Sequence, residues 1–192
     1  MSQTFASAVA AVGALIFALG TNPEAQRSES TTERFIAGAI NPNHGGTGMV
    51  EIVVDRWSTN AERERLMSVA FSKGPGKLLD VLQELPKVGY FRTPDRTGWD
   101  LRFARRTPGE DGGEHIVLAT DRRVGYWETV VQPPSFDYPF TVIELHLNGD
   151  GRGEGRMSFA TKVVADRKTG QISLENYEHQ PVLLTDVHRE RS

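Results

Sequence analysis

The chain contains no cysteine, and that one absence removes disulfides, thiolate metal sites, iron–sulfur clusters and cysteine nucleophiles together. An excess of one charge is missing too. Lys and Arg number 22 against 25 Asp and Glu, a net charge of −3, so no long-range field draws in nucleic acid or an anionic membrane face. The five histidines, His44, His115, His146, His179 and His188, fall in no HxH, HxxxH or HExxH spacing, so the local sequence specifies no metal ligand set. No serine occupies a GxSxG elbow, and Ser58 reads as the approach to a helix cap. The glycine-rich run NPNHGGTG at 41–48 lacks the lysine and the strand-to-helix setting of a phosphate loop. No motif implies a cofactor.

Ionisable side chains are also absent from residues 1–23, and residues 5–20 read FASAVAAVGALIFALG. Such a run is either the apolar part of a secretory signal or a short membrane anchor. Ala18-Leu19-Gly20 and Pro23-Glu24-Ala25 are the two usable cleavage sites, the first having small residues at both recognition positions. No Lys or Arg precedes the run, which departs from a standard signal. An anchor needs roughly 17 to 25 apolar residues, a length that 1–23 just reaches. Residues 1–25 are therefore expected to be a signal peptide or an N-terminal membrane anchor, 26–32 a flexible polar tether, and 33–188 a single β-rich domain. Either fate of the leader places the domain outside the cytoplasm, periplasmic or secreted and, with the leader retained, attached to the membrane through residues 5–20.

About 165 residues remain beyond the leader, enough for one domain with its own core. Period-two alternation predicts strands over 33–40, 49–57, 88–93, 99–106, 114–121, 124–131, 138–147, 154–165, 171–177 and 182–187. Between the second and third, Thr59 with Glu62 forms a capping box that opens a helix, and Gly74-Pro75 ends it. Leu78, Val81, Leu82 and Leu85 then recur at helical spacing before Pro86. Glycine-rich connections such as NGDGRG and DRKTG are hairpin turns. The expected fold is mainly β: an antiparallel barrel or sandwich of roughly eight to ten strands with a helical hairpin inserted after the second strand.

Alternation also assigns faces. Over 99–106, Trp99, Leu101 and Phe103 are expected on a core face, with Asp100, Arg102, Ala104 and Arg106 opposite. Pairing across the 109–113 loop would set Phe103 near Leu118 and Leu101 near Thr120. Over 138–147, Ile143, Leu145 and Leu147 share one face, and Phe140, Val142, Glu144 and His146 the other.

The strings VDRWSTNAERERL, VGYFRTPDRTGWDLRFAR, IVLATDRRVGYWE, DYPFTVIELHLNGDGRGEGRMS and LENY resemble a family of uncharacterised exported bacterial proteins, over about 49–187. The resemblance implies an envelope location and assigns no activity.

Several constellations are candidates for chemistry. Asn148, Asp150, Arg152 and Glu154 alternate like a calcium loop, yet Arg152 takes a ligand place and Phe159 stands where a bidentate Glu belongs, so a hairpin turn is expected. Glu144 and His146 on one strand face form an acid/base pair, with Arg156 or Ser158 opposite across the hairpin; the alternative is a solvated or structural cluster. Trp99, Tyr126, Trp127 and Arg102 are candidate ligand-binding residues, within a wider aromatic group that includes Trp57, Tyr90 and Phe91 and that core packing also explains. Two functions follow. One is a non-catalytic binding or accessory module that associates with a protein partner in a membrane complex or with a small apolar ligand. The other is a periplasmic hydrolase using Glu144 and His146 with Arg102 or Arg156.

Overall fold

Apolar residues at every second position give each strand one oily face, and eight strands wrap those faces around a common interior. The computed structural model describes residues 32–42, 45–94, 98–109, 112–122, 140–159, 162–166, 171–175 and 180–190. Outside them lie the leader, residues 26–31 of the expected tether, the strand expected at 124–131, and His44, His179, Tyr126 and Trp127. Strands β1 (Glu33–Asn41), β2 (Gly46–Val54), β3 (Gly89–Arg92), β4 (Trp99–Pro108), β5 (Glu114–Thr120), β6 (Thr141–Leu147), β7 (Arg152–Phe159) and β10 (Val182–Glu190) close an antiparallel barrel in the order β1-β10-β7-β6-β5-β4-β3-β2. Strands β8 (Lys162–Asp166) and β9 (Gln171–Glu175) pair with each other as a separate hairpin between β7 and β10. The single strand expected over 154–165 is thus two, β7 in the barrel wall and β8 in the hairpin.

The interior is filled by side chains. Phe35, Ile52, Phe91, Leu101, Ile116, Leu118, Ile143, Leu145 and Met157 are completely shielded from solvent. Each such burial contributes on the order of 1.5–3 kcal/mol. Because the strands alternate in direction, one rim collects the start of β1 and the ends of β2, β4 and β10, and the other rim the opposite ends. At the first, lower rim the inward positions are charged: Glu33 meets Arg106 at 3.0 Å and Arg189 at 3.1 Å, and Arg189 also pairs with Glu114. Trp57 donates its indole N–H to Glu33 at 3.1 Å and lies under the Arg106 guanidinium, 5.0 Å from its ring centre. Two cations and two anions in alternation close this end with no excess charge, the arrangement that makes part-buried ion pairs tolerable.

Helix α1 (Asn60–Ser72) starts with the expected capping box, since Thr59 Oγ1 accepts from Glu62 N–H and the Glu62 carboxylate accepts from Thr59 N–H at 2.7 Å. Arg56 forks onto the same carboxylate at 2.8 and 3.1 Å. Gly74, with φ of +88°, ends the helix; a 3-10 turn (Pro75–Lys77) leads into α2 (Leu78–Glu84). The pair lies on the outside of the barrel, where Ala70, Leu78, Val81, Leu82 and Leu85 form a second core with Phe103, Ala119, Phe140 and Val142. Strand β8 runs against α1 and the 3-10 turn.

The position of Phe103 corrects the face assignment of β4. Leu101 pairs with Thr120 as expected, but Phe103 pairs with Ala119 and Ala104 with Leu118, so Arg102 is an extra residue without a partner across the ladder. This β-bulge reverses the alternation midway along the strand. Trp99 and Leu101 belong to the barrel core; beyond the bulge Ala104 faces in and Phe103 faces out under the helices. Ser58 then takes the exposed backbone of β4, its N–H donating to Ala104 C=O at 2.7 Å and its Oγ accepting from Ala104 N–H at 3.0 Å. A second extra residue occurs in β10 around Asp186, whose φ of +51° places it in the left-handed region.

Close approach of β6 and β7 requires glycine. A Cβ at Gly153 would overlap the His146 carbonyl oxygen, and one at Gly155 would overlap that of Glu144. Gly153→Ala is therefore expected to lower unfolding free energy by about 1–3 kcal/mol or more, whereas Gly76→Ala, with open space around it, changes it by less than about 0.5 kcal/mol; urea denaturation of the two variants checks the contrast.

Candidate functional site

The outward faces of β4 to β7 below the helical hairpin form a polar shelf, and its rows follow from the strand register. Across β5, β6 and β7, Val117 stands opposite Glu144 and Glu144 opposite Arg156; in the next row His115 stands opposite His146 and His146 opposite Glu154. The NGDGRG turn fixes this register. Asn148 Oδ1 accepts from the N–H groups of Asp150 and Arg152, both at 3.0 Å, and Gly151 supplies the positive φ of +74°, so this segment is the hairpin turn expected.

Glu144 is buried and its carboxylate lies 2.9 Å from Arg156 Nε. Burial raises its pKa, while Arg156 and His146 act in the opposite direction. His115 and His146 stack with ring centres 4.4 Å apart and planes inclined by 12°. Burial, followed by the nearby His146 and Arg156, lowers the His115 pKa to about 4, so the ring is neutral at pH 7; its buried Nε2 has no hydrogen-bond partner. His146 itself is exposed. The structure thus brings Glu144, His146 and Arg156 together on one face, and Ser158 lies one row up, opposite Val142 and buried. His115 is the member that sequence reasoning missed: its place beside His146 depends on β5 pairing with β6, strands separated by a 20-residue connection (121–140) that leaves the register open.

Arg102 lies elsewhere. It bonds Asp121 at 2.8 Å and the Leu85 carbonyl at 3.2 Å, and Asp100 is 3.6 Å away, which ties the bulge of β4 to the end of β5 and the end of α2. The aromatic group also divides. Trp99 stands at the upper rim, its ring centre 5.5 Å from that of Phe91, whereas Trp57 is at the lower rim and Tyr90 is flanked outside by Lys87 and Arg92. Tyr126 and Trp127 lie outside the described residues.

A third feature is the wall that the helices leave bare. Ile40 and Leu183 pair directly across β1 and β10, and Met49, opposite Gly38 on β2, is diagonal to Ile40. Among the described residues these three are the exposed large hydrophobics, Met49 at 58 %. Below them Arg34 pairs with Glu51 at 2.9 Å and with Glu190 at 3.5 Å, and Arg92 also reaches Glu51. The signal for this wall was present in β1, where Ile36 and Ile40 lie on the face opposite Phe35, Ala37 and Ala39, making both faces of one strand apolar. Among the described residues no group of three or more His, Asp and Glu is placed to hold a metal ion, and no helix is long and apolar enough to cross a membrane.

The shelf makes stability depend on pH. Above pH 6.5 His115 is neutral in folded and unfolded chains and contributes nothing; between 6.5 and about 4 the unfolded chain takes up a proton that the fold refuses, so stability falls. The ceiling on this loss is on the order of 3 kcal/mol, reduced because the ring is only partly buried. Glu144, with its raised pKa, acts in the opposite sense, adding stability as pH falls. His115→Phe is expected to lose less stability than the parent between pH 7 and 4.5, by at least about 1 kcal/mol in urea denaturation; equal losses would contradict the assignment.

No family model matches the chain, and neither a curated protein nor a solved structure does.

Proposed function

We propose that the chain is an extracytoplasmic, non-catalytic binding or accessory module that docks a protein partner at the membrane surface. The observation that carries this reading is the bare wall of β1, β2 and β10. Ile40, Met49 and Leu183 form an exposed apolar centre, bordered by the alternating charges of Arg34, Glu51, Arg92 and Glu190. An apolar centre with a polar border is the anatomy of a protein interface, and scattered single hydrophobics are not. The occupant with the matching chemistry is a protein surface that offers apolar side chains to the centre and charges of both signs to the border.

The uncharged leader, as signal peptide or anchor, and the resemblance to exported bacterial proteins support an envelope location. Side chains fill the barrel along its length, which favours a protein partner over a small apolar ligand carried inside. The alternative hydrolase would use Glu144 and His146. Glu144 is covered and engaged by Arg156, and among the described residues the strand register places no nucleophile beside His146, whose neighbours across the ladder are His115 and Glu154, which favours the binding module.

In membranes from cells that express the full chain, a docked complex is expected to survive Glu144→Gln and His146→Ala. The double variant Ile40→Lys, Leu183→Lys should abolish it while the melting temperature of the isolated protein moves by only a few degrees. A complex that persists in the double variant, or an identified substrate whose turnover Glu144→Gln abolishes without unfolding, overturns the proposal.

A further inference from the structure

The charged border of the bare wall is an ordered row with one charge on each strand. The ladders set Arg92 of β3 opposite Glu51 of β2, Arg34 of β1 diagonal to Glu51, and Glu190 of β10 opposite Arg34. From β3 to β10 the signs therefore run plus, minus, plus, minus. Within one copy Arg34 holds Glu51 at 2.9 Å and Glu190 at 3.5 Å, and Arg92 reaches Glu51 from the other side. Arg34, Arg92 and Glu190 are nonetheless about half exposed, so they are open to further partners.

Reversed end for end, such a row is its own complement. A two-fold axis lying in the interface, along the strands and between β1 and β2, performs that reversal. Arg92 of one copy then faces Glu190 of the other and Glu51 faces Arg34, so every facing pair is of opposite sign. A border of one sign, or an alternating row with an odd number of members, would set like charges together. The same axis passes between Met49 and Gly38, which pair directly across β2 and β1. It places the exposed Met49 of each copy over Gly38 of the other, a position with no side chain to hold it off. Thr185 Oγ1 bounds Gly38 on the β10 side, 2.9 Å from where a Cβ would stand. In the next row Ile40 falls against Thr47, because these two also pair across the axis.

We propose that the partner docked on this wall is a second copy of the chain, related by that two-fold axis, with Met49 of each copy against Gly38 of the other and the two charged rows facing each other in opposite order. The inference rests on the docking reading above and names its partner. The surface required there, apolar at its centre and bearing both signs at its border, is the wall itself. The barrel is closed, so two copies meet face to face with their strands aligned, and not by addition of one strand edge to another. A curved wall with a small apolar centre gives a weak, reversible dimer, and its charged border makes that dimer sensitive to salt.

Sedimentation of the full chain in detergent should show a dimer that dissociates on dilution and in added salt. Arg34→Glu with Arg92→Glu makes the row acidic throughout, and Glu51→Lys with Glu190→Lys makes it basic throughout. Each variant alone should dimerise at least about tenfold more weakly than the parent, and an equimolar mixture should recover a dimer with one chain of each kind. Matching melting temperatures show that the variants fold; where one does not, cross-linking decides. Because the chain has no cysteine, Met49→Cys introduces a single thiol, and a bifunctional maleimide should join two such chains into a species of twice the mass, whereas Gly76→Cys, beside the helices, should give none. A parent that stays monomeric up to about 100 μM, a dimer that Met49→Lys leaves intact, or cross-linking of Met49→Cys only to a chain of different mass overturns the proposal. In each of those cases, loss of the membrane complex in Ile40→Lys, Leu183→Lys still upholds the wall as a docking face, and persistence of that complex overturns the docking reading as well.

Discussion

One residue left unmatched across the β4–β5 ladder, Arg102, allows this chain to have two cores. A strand of ten residues with strict alternation would send Leu101 and Phe103 to the same side, and the barrel would receive both. With Arg102 inserted, Leu101 fills the barrel, Phe103 turns outward to seat the helices, and Ala104 turns inward, fully buried in the barrel core. The insertion is held by its own side chain: Arg102 spans from Asp121 at the end of β5 to the last carbonyl of the helical hairpin, Leu85. The same reversal sets Arg106 inward, where it meets Glu33 and helps close the lower rim.

The two sides of the barrel consequently differ. Over β4, β5 and β6 the outer surface is covered by α1 and α2, and the polar shelf is what remains below the helices. Over β1, β2 and β10 nothing among the described residues covers the wall, and there the chain leaves large apolar side chains in water. A monomer gains nothing from that exposure, since covering Met49 or Leu183 would stabilise it by the transfer free energy of each side chain. The shelf, by contrast, holds its perturbed groups in mutual contact. A raised carboxyl pKa beside Arg156 and a lowered imidazole pKa beside His146 are what burial produces in a covered cluster as well as in an active site.

The legible parts of the fold were those fixed by local rules. Thr59 and Glu62 are three residues apart and cap each other; Gly74 supplies a backbone angle that other residues resist; the NGDGRG turn sets β6 against β7, and with them Glu144 against Arg156. What was not legible depends on distant partners. Residues 99–106 alternate without any mark at Arg102, because the bulge is decided by the need of Phe103 for a seat under helices 20 to 40 residues earlier in the chain. His115 reaches His146 only through the pairing of β5 with β6, and the 20-residue connection between them, in which a further strand was expected at 124–131, does not fix that register. Of the expected ligand residues, Trp99 is placed at the upper rim and Arg102 in the bulge, while the leader that dominates the sequence, with Tyr126 and Trp127, lies outside the described residues.

Arg102 couples the helical hairpin to the barrel wall, and hydrogen exchange in the folded state tests that coupling most directly. In Arg102→Ala, the amides of α1 and α2 should lose protection relative to the parent, through local opening, while those of β1, β2 and β10 on the far wall keep theirs. Unchanged protection in α1 and α2, or an equal loss in every strand of the barrel, would contradict it.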